Sequence, residues 1–205
     1  MTEPLLLGYP ITQLFLYFIF YSFCGWIWET CYCSFCERHY VPRGFLYGPV
    51  CPIYGVGFLL MILFFAPFKD NLVVFYFVAV FVMTAWEYFV GWFLETTTHI
   101  KYWDYSHIRF NIKGRVCLPV SLFWGIMSYI AVFLIHPPVA RLMHAIPDWV
   151  RYLLCGSTLT LLLVDTVTTI RKLKEKGVAV YFEKKDFYTV KMPINAVNTA
   201  LSKGS

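Results

Sequence analysis

Five apolar runs, about Ile11 to Trp28, Val50 to Phe65, Leu72 to Leu94, Val116 to Ile135 and Trp149 to Ile170, constrain most of what this chain can fold into. A bilayer core of about 30 Å takes roughly 20 apolar residues as a helix. Inside lipid each backbone N–H and C=O must be satisfied without water, which favours helices. The runs therefore predict an all-α integral membrane protein with about five transmembrane helices. The composition agrees, with 59% hydrophobic and only 14% charged residues, well away from soluble-domain averages. The second run is short and opens with Pro49 and Pro52, so its start is expected to be bent or partly re-entrant. The first run lacks a basic leader and a small-x-small cleavage site, so it is expected to be retained and not removed as a signal peptide.

Two of the runs end alike. Phe23, Gly25, Trp26, Glu29 and Thr30 in FCGWIWET return as Phe89, Gly91, Trp92, Glu95 and Thr96 in FVGWFLET. After a connecting loop four residues longer in the second copy, Gly44, Pro49, Val50 and Gly55 return as Gly114, Pro119, Val120 and Gly125. Each copy reads as one helical hairpin, and both point the same way, the pattern of parallel repeats related by an axis along the membrane normal. The expected organisation is a membrane domain over 1–170, with repeat one at about 11–66, repeat two at about 72–136 and a fifth helix at about 149–170. A basic tail follows over 171–205, in which VAVYF and FYTVKM suggest a short hairpin. The outer connection PPVARLMHAIPD is expected to form a surface-lying turn of helix.

Orientation follows from the basic residues, which the cytoplasmic side retains. Arg38 and Arg43 in the first loop, Lys101, Arg109, Lys113 and Arg115 in the third, and eight residues of the tail hold 14 of the 17, leaving Lys69, Arg141 and Arg151 opposite. The N-terminus is expected outside and the C-terminus in the cytoplasm of a multi-pass plasma-membrane protein. The net charge of +5 then reflects topology and contact with anionic lipid, and nucleic acid is not needed to explain it.

A carboxylate in a membrane helix costs on the order of 2.5 to 3.5 kcal/mol on insertion scales and usually faces protein or a water-filled cavity. Glu87, Gly91 and Glu95 follow at i, i+4 and i+8, on one face of a helix. The first copy presents Gly25 and Glu29 at the same spacing, with Tyr21 in place of Glu87. Glycine between the acids would let a neighbouring helix approach closely. Thr158, Asp165, Thr168 and Thr169 make a polar stripe on the last helix. Together these residues predict a polar vestibule open to the cytoplasm, with Glu29, Glu95 and Asp165 near its mouth and Glu87 about three turns deeper. Arg43 and Arg115, beside the repeated glycines Gly44 and Gly114, are placed to pair with the acids or to bind an anionic head group. The helix starts at Pro49 and Pro119 leave backbone N–H groups for an anion, although proline is common there in any case. Trp103 to Ser106, with Phe110 and Asn111, reads as a folded loop over the vestibule in which Asp104 and Asn111 are polar candidates. His99 and His107 are expected at the interface.

Seven cysteines include Cys31, Cys33 and Cys36, with His39 close by. Zinc is one reading. Reduced thiols in a cytoplasmic loop are the other, since one-residue spacing is unusual for structural zinc. No metal or cofactor is expected. The chain also has no G-x-x-x-x-G-K-[ST] phosphate loop.

GWIWET, RGFLYGPVCPIYG, EYFVGWFLET, WDYS, FNIKGR and CLPVSLFWG, taken together over roughly Leu14 to Arg171, closely resemble the bacterial membrane family of ABC-transporter permeases of type IV, the CmpB-like proteins. The resemblance implies a membrane subunit of a transporter that works with a separate ATPase docking at the cytoplasmic loops and tail. Five helices are few for a translocation path, so a homodimer or a partner subunit is also expected. Two alternatives stay open. One is a membrane-embedded enzyme using paired acids on a lipid or isoprenoid. The WDYS to CLPV stretch is similar in part to membrane carotenoid cyclases, but Val120 and Ser121 stand where that pattern has paired acids. The other is a structural or regulatory membrane protein whose acids lock its helices together.

Overall fold

The structure, a computed structural model, describes residues 3–98 and 101–176. His99, the tail beyond Lys176 with its expected VAVYF and FYTVKM hairpin, and the side chain of Cys36 lie outside the described residues. Among the described residues six α-helices carry the fold: α1 Ile11–Glu37, α2 Pro52–Phe65, α3 Leu72–Thr98, α4 Leu118–Tyr129, α5 His136–His144 and α6 Asp148–Lys176. Two-residue strands make two small antiparallel hairpins, β1 Leu5–Leu6 with β2 Tyr9–Pro10 and β3 Asn111–Ile112 with β4 Val116–Cys117.

Among the described residues four helical segments are long and apolar enough to cross a bilayer: Ile11–Phe35, Leu72–Thr97, Leu118–His144 and Asp148–Lys172. The second predicted span differs. Its helix α2 holds 14 residues, about 21 Å at 1.5 Å per residue, because Pro49 and Pro52 hold the preceding chain out of the helix. The outer connection also differs from expectation. It is helical, but α5 continues directly from α4 through a π-helical segment, Ile130–Ile135, and is no separate surface turn. Pro137 and Pro138 lack the N–H that an uninterrupted α-helix requires. The His136 N–H reaches Ala131 O instead, and this wider turn carries the axis past both prolines.

The chain divides into two compact units, Met1–Ser22 with Pro52–Thr158, and Phe23–Cys51 with Leu159–Ser205. In the first, Tyr17, Tyr21, Phe58, Ile62, Phe65, Phe75, Met83 and Val132 belong to one buried cluster. Glycine sets two of its helix contacts. A Cβ on Gly55 would collide with Ser22 and Phe18 of α1, and one on Gly125 would lie 2.6 Å from Tyr76 and Val80 of α3. Local caps fix the helix starts: the Thr12 N–H donates to Glu3 Oε1 (2.7 Å) at α1, and the Val74 N–H donates to Asn71 Oδ1 (3.1 Å) at α3. In the second unit, α6 turns Leu161, Leu163, Val164 and Val167 outward and buries Thr169 completely. Apolar outside and polar inside is the arrangement a lipid solvent selects.

Candidate functional site

In the second unit the loop after α1 doubles back along it. Arg43, 7% exposed, donates from Nε to Glu29 Oε1 at 3.2 Å, and its backbone N–H donates to Thr30 Oγ1 at 3.3 Å. Gly44 follows with φ +100°, a conformation open to glycine without strain. A Cβ there would lie 3.1 Å from Cys51 Sγ and 3.5 Å from Trp26. Trp26 stands eleven residues before the end of α1, so the loop reaches back about 16 Å. Cys51 Sγ approaches Glu29 Oε2 at 3.7 Å. On α6, Asp165 accepts the backbone N–H groups of Tyr47 (3.0 Å) and Gly48 (2.8 Å), with Thr169 Oγ1 at 3.5 Å. The Lys172 ammonium lies 4.2 Å from the Tyr47 ring centroid, within cation–π range.

The first unit repeats this chemistry with other residues. Arg115 binds one oxygen of Glu95 through both Nε (2.9 Å) and Nη2 (2.8 Å), and its Nη1 donates to the Tyr88 hydroxyl at 3.1 Å. The hydrogen bonds that the guanidinium donates to the Glu95 carboxylate raise its pKa further. Trp103 Nε1 donates to Arg115 O at 2.7 Å. Gly91 is therefore approached by this loop, with Trp103 at 3.2 Å from its Cβ position and Arg115 at 3.5 Å, and the neighbouring helix expected there is replaced by folded loop. Asn111 ties the loop together, donating to Ile108 O (2.7 Å) and Ser106 O (3.3 Å) and accepting the Gly114 N–H (3.0 Å). Asp104 Oδ1 accepts the Ser106 N–H at 2.9 Å, and Asp104 Oδ2 lies 3.7 Å from Lys101. Burial pushes the Asp104 pKa up, but the Ser106 hydrogen bonds and the Lys101 charge outweigh it and hold the carboxyl below its usual range.

Glu87 stands apart from the paired acids. It lies eleven residues before the end of α3, is 8% exposed, and takes a hydrogen bond on Oε1 from the Tyr105 hydroxyl at 3.1 Å. Its Oε2 is buried without a hydrogen bond of good geometry among the described residues, and so is Trp124 Nε1, although that indole N–H stands near enough to the Glu87 carboxyl to act on it as a weak donor. Most buried side-chain polar atoms are hydrogen-bonded, so such exceptions mark strain or function. At the corresponding place in the first copy Tyr21 is equally buried, with its hydroxyl 3.4 Å from His136 Nδ1.

A family described as Putative ABC-transporter type IV matches residues 16–170, about three quarters of the chain. The chain belongs to this family. With four bilayer-length apolar helices, this member of the ABC-transporter type IV family is a multi-pass membrane protein. Neither curated proteins nor solved structures yield a match.

The matched region holds every candidate picked from the sequence. Glu29 with Arg43 and Glu95 with Arg115 form ion pairs, Asp165 binds the loop backbone, and Asp104 and Asn111 organise the second loop. Among the described residues no group of three His, Cys, Asp or Glu side chains is arranged around a metal. Gly114 has φ +69°, while Trp92, Pro49 and Pro119 are exposed. Sequence reasoning missed Tyr105, Tyr88 and Thr30 as partners. Thr30 was within reach, because it adjoins Glu29 in the repeated motif, and Tyr105 lies in the stretch expected to fold over the vestibule, whereas nothing in the sequence singled out Tyr88.

Proposed function

We propose that this chain is the permease-like membrane component of a transport system, working with a separate ATPase subunit. Its carboxylates Glu29, Glu87, Glu95 and Asp165 would form an intramembrane cluster opening to the cytoplasm, along the substrate path. Its N-terminus would lie outside, and a second copy or partner subunit would complete the path. Family membership supports the transport reading. The observation that carries the site is Glu87, a buried carboxylate within an apolar span whose second oxygen has no hydrogen bond of good geometry among the described residues. An intramembrane acid of this kind is a functional candidate by default. The back-folded loops give further support, because irregular backbone at membrane depth persists only where it is buried in protein or lines a water-filled cavity.

Purification of the tagged chain from native membranes in mild detergent, followed by assay of the eluate for ATP hydrolysis, tests the partnership. An ATPase in fixed ratio to the chain is expected, with its yield reduced when the loop and tail basic residues are neutralised. A chain that elutes without ATPase under conditions that preserve known transporter complexes would overturn it.

A further inference from the structure

Beside the Arg115 pair lies a cleft of about 340 Å³ lined by Phe81, Thr84, Ala85 and Tyr88 of α3 and by Ile112 and Val116 of the β3–β4 hairpin. Its size is near the lower end for ligand sites. Its walls are almost wholly apolar. Thr84 does not alter this, since its hydroxyl donates to Val80 O of its own helix at 2.6 Å. A polar solute or a water cluster would find few partners inside, whereas a hydrocarbon chain needs none.

The charge sits at one end. Ile112 and Val116 are direct partners across the β-ladder, so both present the same face of the hairpin. Between them the turn is Lys113, Gly114 and Arg115. The Arg115 guanidinium lies 5.3 Å from the centroid of Tyr88, one of the cleft walls. Lys101 is paired with Asp104 and Arg115 with Glu95. Lys113 and Arg109 are exposed, and no carboxylate among the described residues pairs with either. Exposed Phe110 and Ile112 lie between these two basic residues in the chain, a composition suited to the zone between head groups and acyl chains.

We infer that this cleft binds one acyl chain of an anionic phospholipid, with the phosphate held at the turn by Lys113 and the outer edge of Arg115. The site adjoins the proposed transport path at the Arg115–Glu95 pair, but the apolar cleft and Lys113 stand without that reading. The occupant is a bilayer lipid, because the apolar cleft selects the chain while the turn selects the charge.

Native mass spectrometry of the purified protein tests this, using an equal mixture of phosphatidylglycerol and phosphatidylcholine with matched chains. One phosphatidylglycerol should be retained in preference. Lys113→Gln should reduce that preference about fivefold, the factor given by roughly 1 kcal/mol per basic residue near a lipid surface. Ala85→Trp, which fills the cleft from an exposed position, should lower retention of both lipids. Millimolar inorganic phosphate should not displace the lipid, and displacement by phosphate would mean that the turn binds the anion without the chain. Equal retention of the two lipids by the unmodified protein, or an unchanged preference in Lys113→Gln, would overturn the inference. Lys113 is exposed, so its variant remains decisive even if Ala85→Trp fails to fold.

Discussion

Replacing Tyr105 with phenylalanine removes one oxygen and leaves the ring, and the structure says what that oxygen does. It donates to Glu87 Oε1 at 3.1 Å, while Glu87 Oε2 has no hydrogen bond of good geometry among the described residues. The variant therefore takes away the best-formed hydrogen bond to the carboxyl of a residue that is only 8% exposed, leaving the Trp124 indole as its remaining nearby donor. Loss of such a bond to a buried group costs about 1 to 3 kcal/mol. For a protein of this size, about 2 to 4 °C of melting temperature corresponds to each kcal/mol, so Tyr105→Phe should melt about 2 to 12 °C lower in detergent. The loop itself should survive, since its backbone is held independently by Tyr105 N–H to Gly114 O (2.8 Å) and Ile108 N–H to Tyr105 O (2.9 Å). A double-mutant cycle with Glu87→Leu isolates the interaction. The double variant should lose clearly less than the sum of the single losses. A Tyr105→Phe protein that melts within about 1 °C of the parent, or strictly additive losses, would refute the reasoning.

Three further outcomes follow from the same geometry. Arg43→Gln breaks the pair with Glu29 and should lower stability by about 1.5 to 3 kcal/mol, the range for hydrogen bonds to charged groups, read by chemical unfolding in detergent. Gly125→Leu forces a side chain against Tyr76 and Val80 and should cost about 1 to 3 kcal/mol from overpacking alone; an unchanged melt would place α4 elsewhere. Asp104 has a depressed pKa in the folded loop, so its stabilisation is present above the unfolded carboxyl pKa and is lost as pH falls through the lower folded value. Protection of the Ser106 amide, taken relative to its intrinsic exchange rate, should fall below about pH 4 in the parent and be low throughout in Asp104→Ala.

How far the sequence could be read depended on the kind of force. Transfer into lipid acts on whole segments, so the apolar runs located the starts of α1, α3, α4 and α6 to within about two residues, while α1 continues nine residues past Trp28. Short-range geometry was harder to foresee. Pro137 and Pro138 looked like the end of a helix, yet one π-helical segment absorbs both, and only the path of the His136 N–H reveals it. Gly91 was expected to receive a helix, but the loop carrying Trp103 and Arg115 fills the space first. Arg43 precedes its glycine and Arg115 follows its own, and each still reaches the matching glutamate, Glu29 or Glu95. Residue types therefore announced the pairs, while the folding back of each loop, set by Gly44 and Gly114 at positive φ, was not legible. The Tyr105 contact to Glu87 spans eighteen residues and depends on that same loop path.

The transport reading is tested most directly by untargeted profiling of solutes in cells and medium. Strains carrying the intact chain, no chain, and Glu87→Gln at equal membrane abundance should be compared. One chemically related set of solutes should change its distribution across the membrane when the chain is absent, and Glu87→Gln should reproduce the change in whole or large part. Identical distributions in all three strains, with the chain present and folded in the membrane, would contradict it.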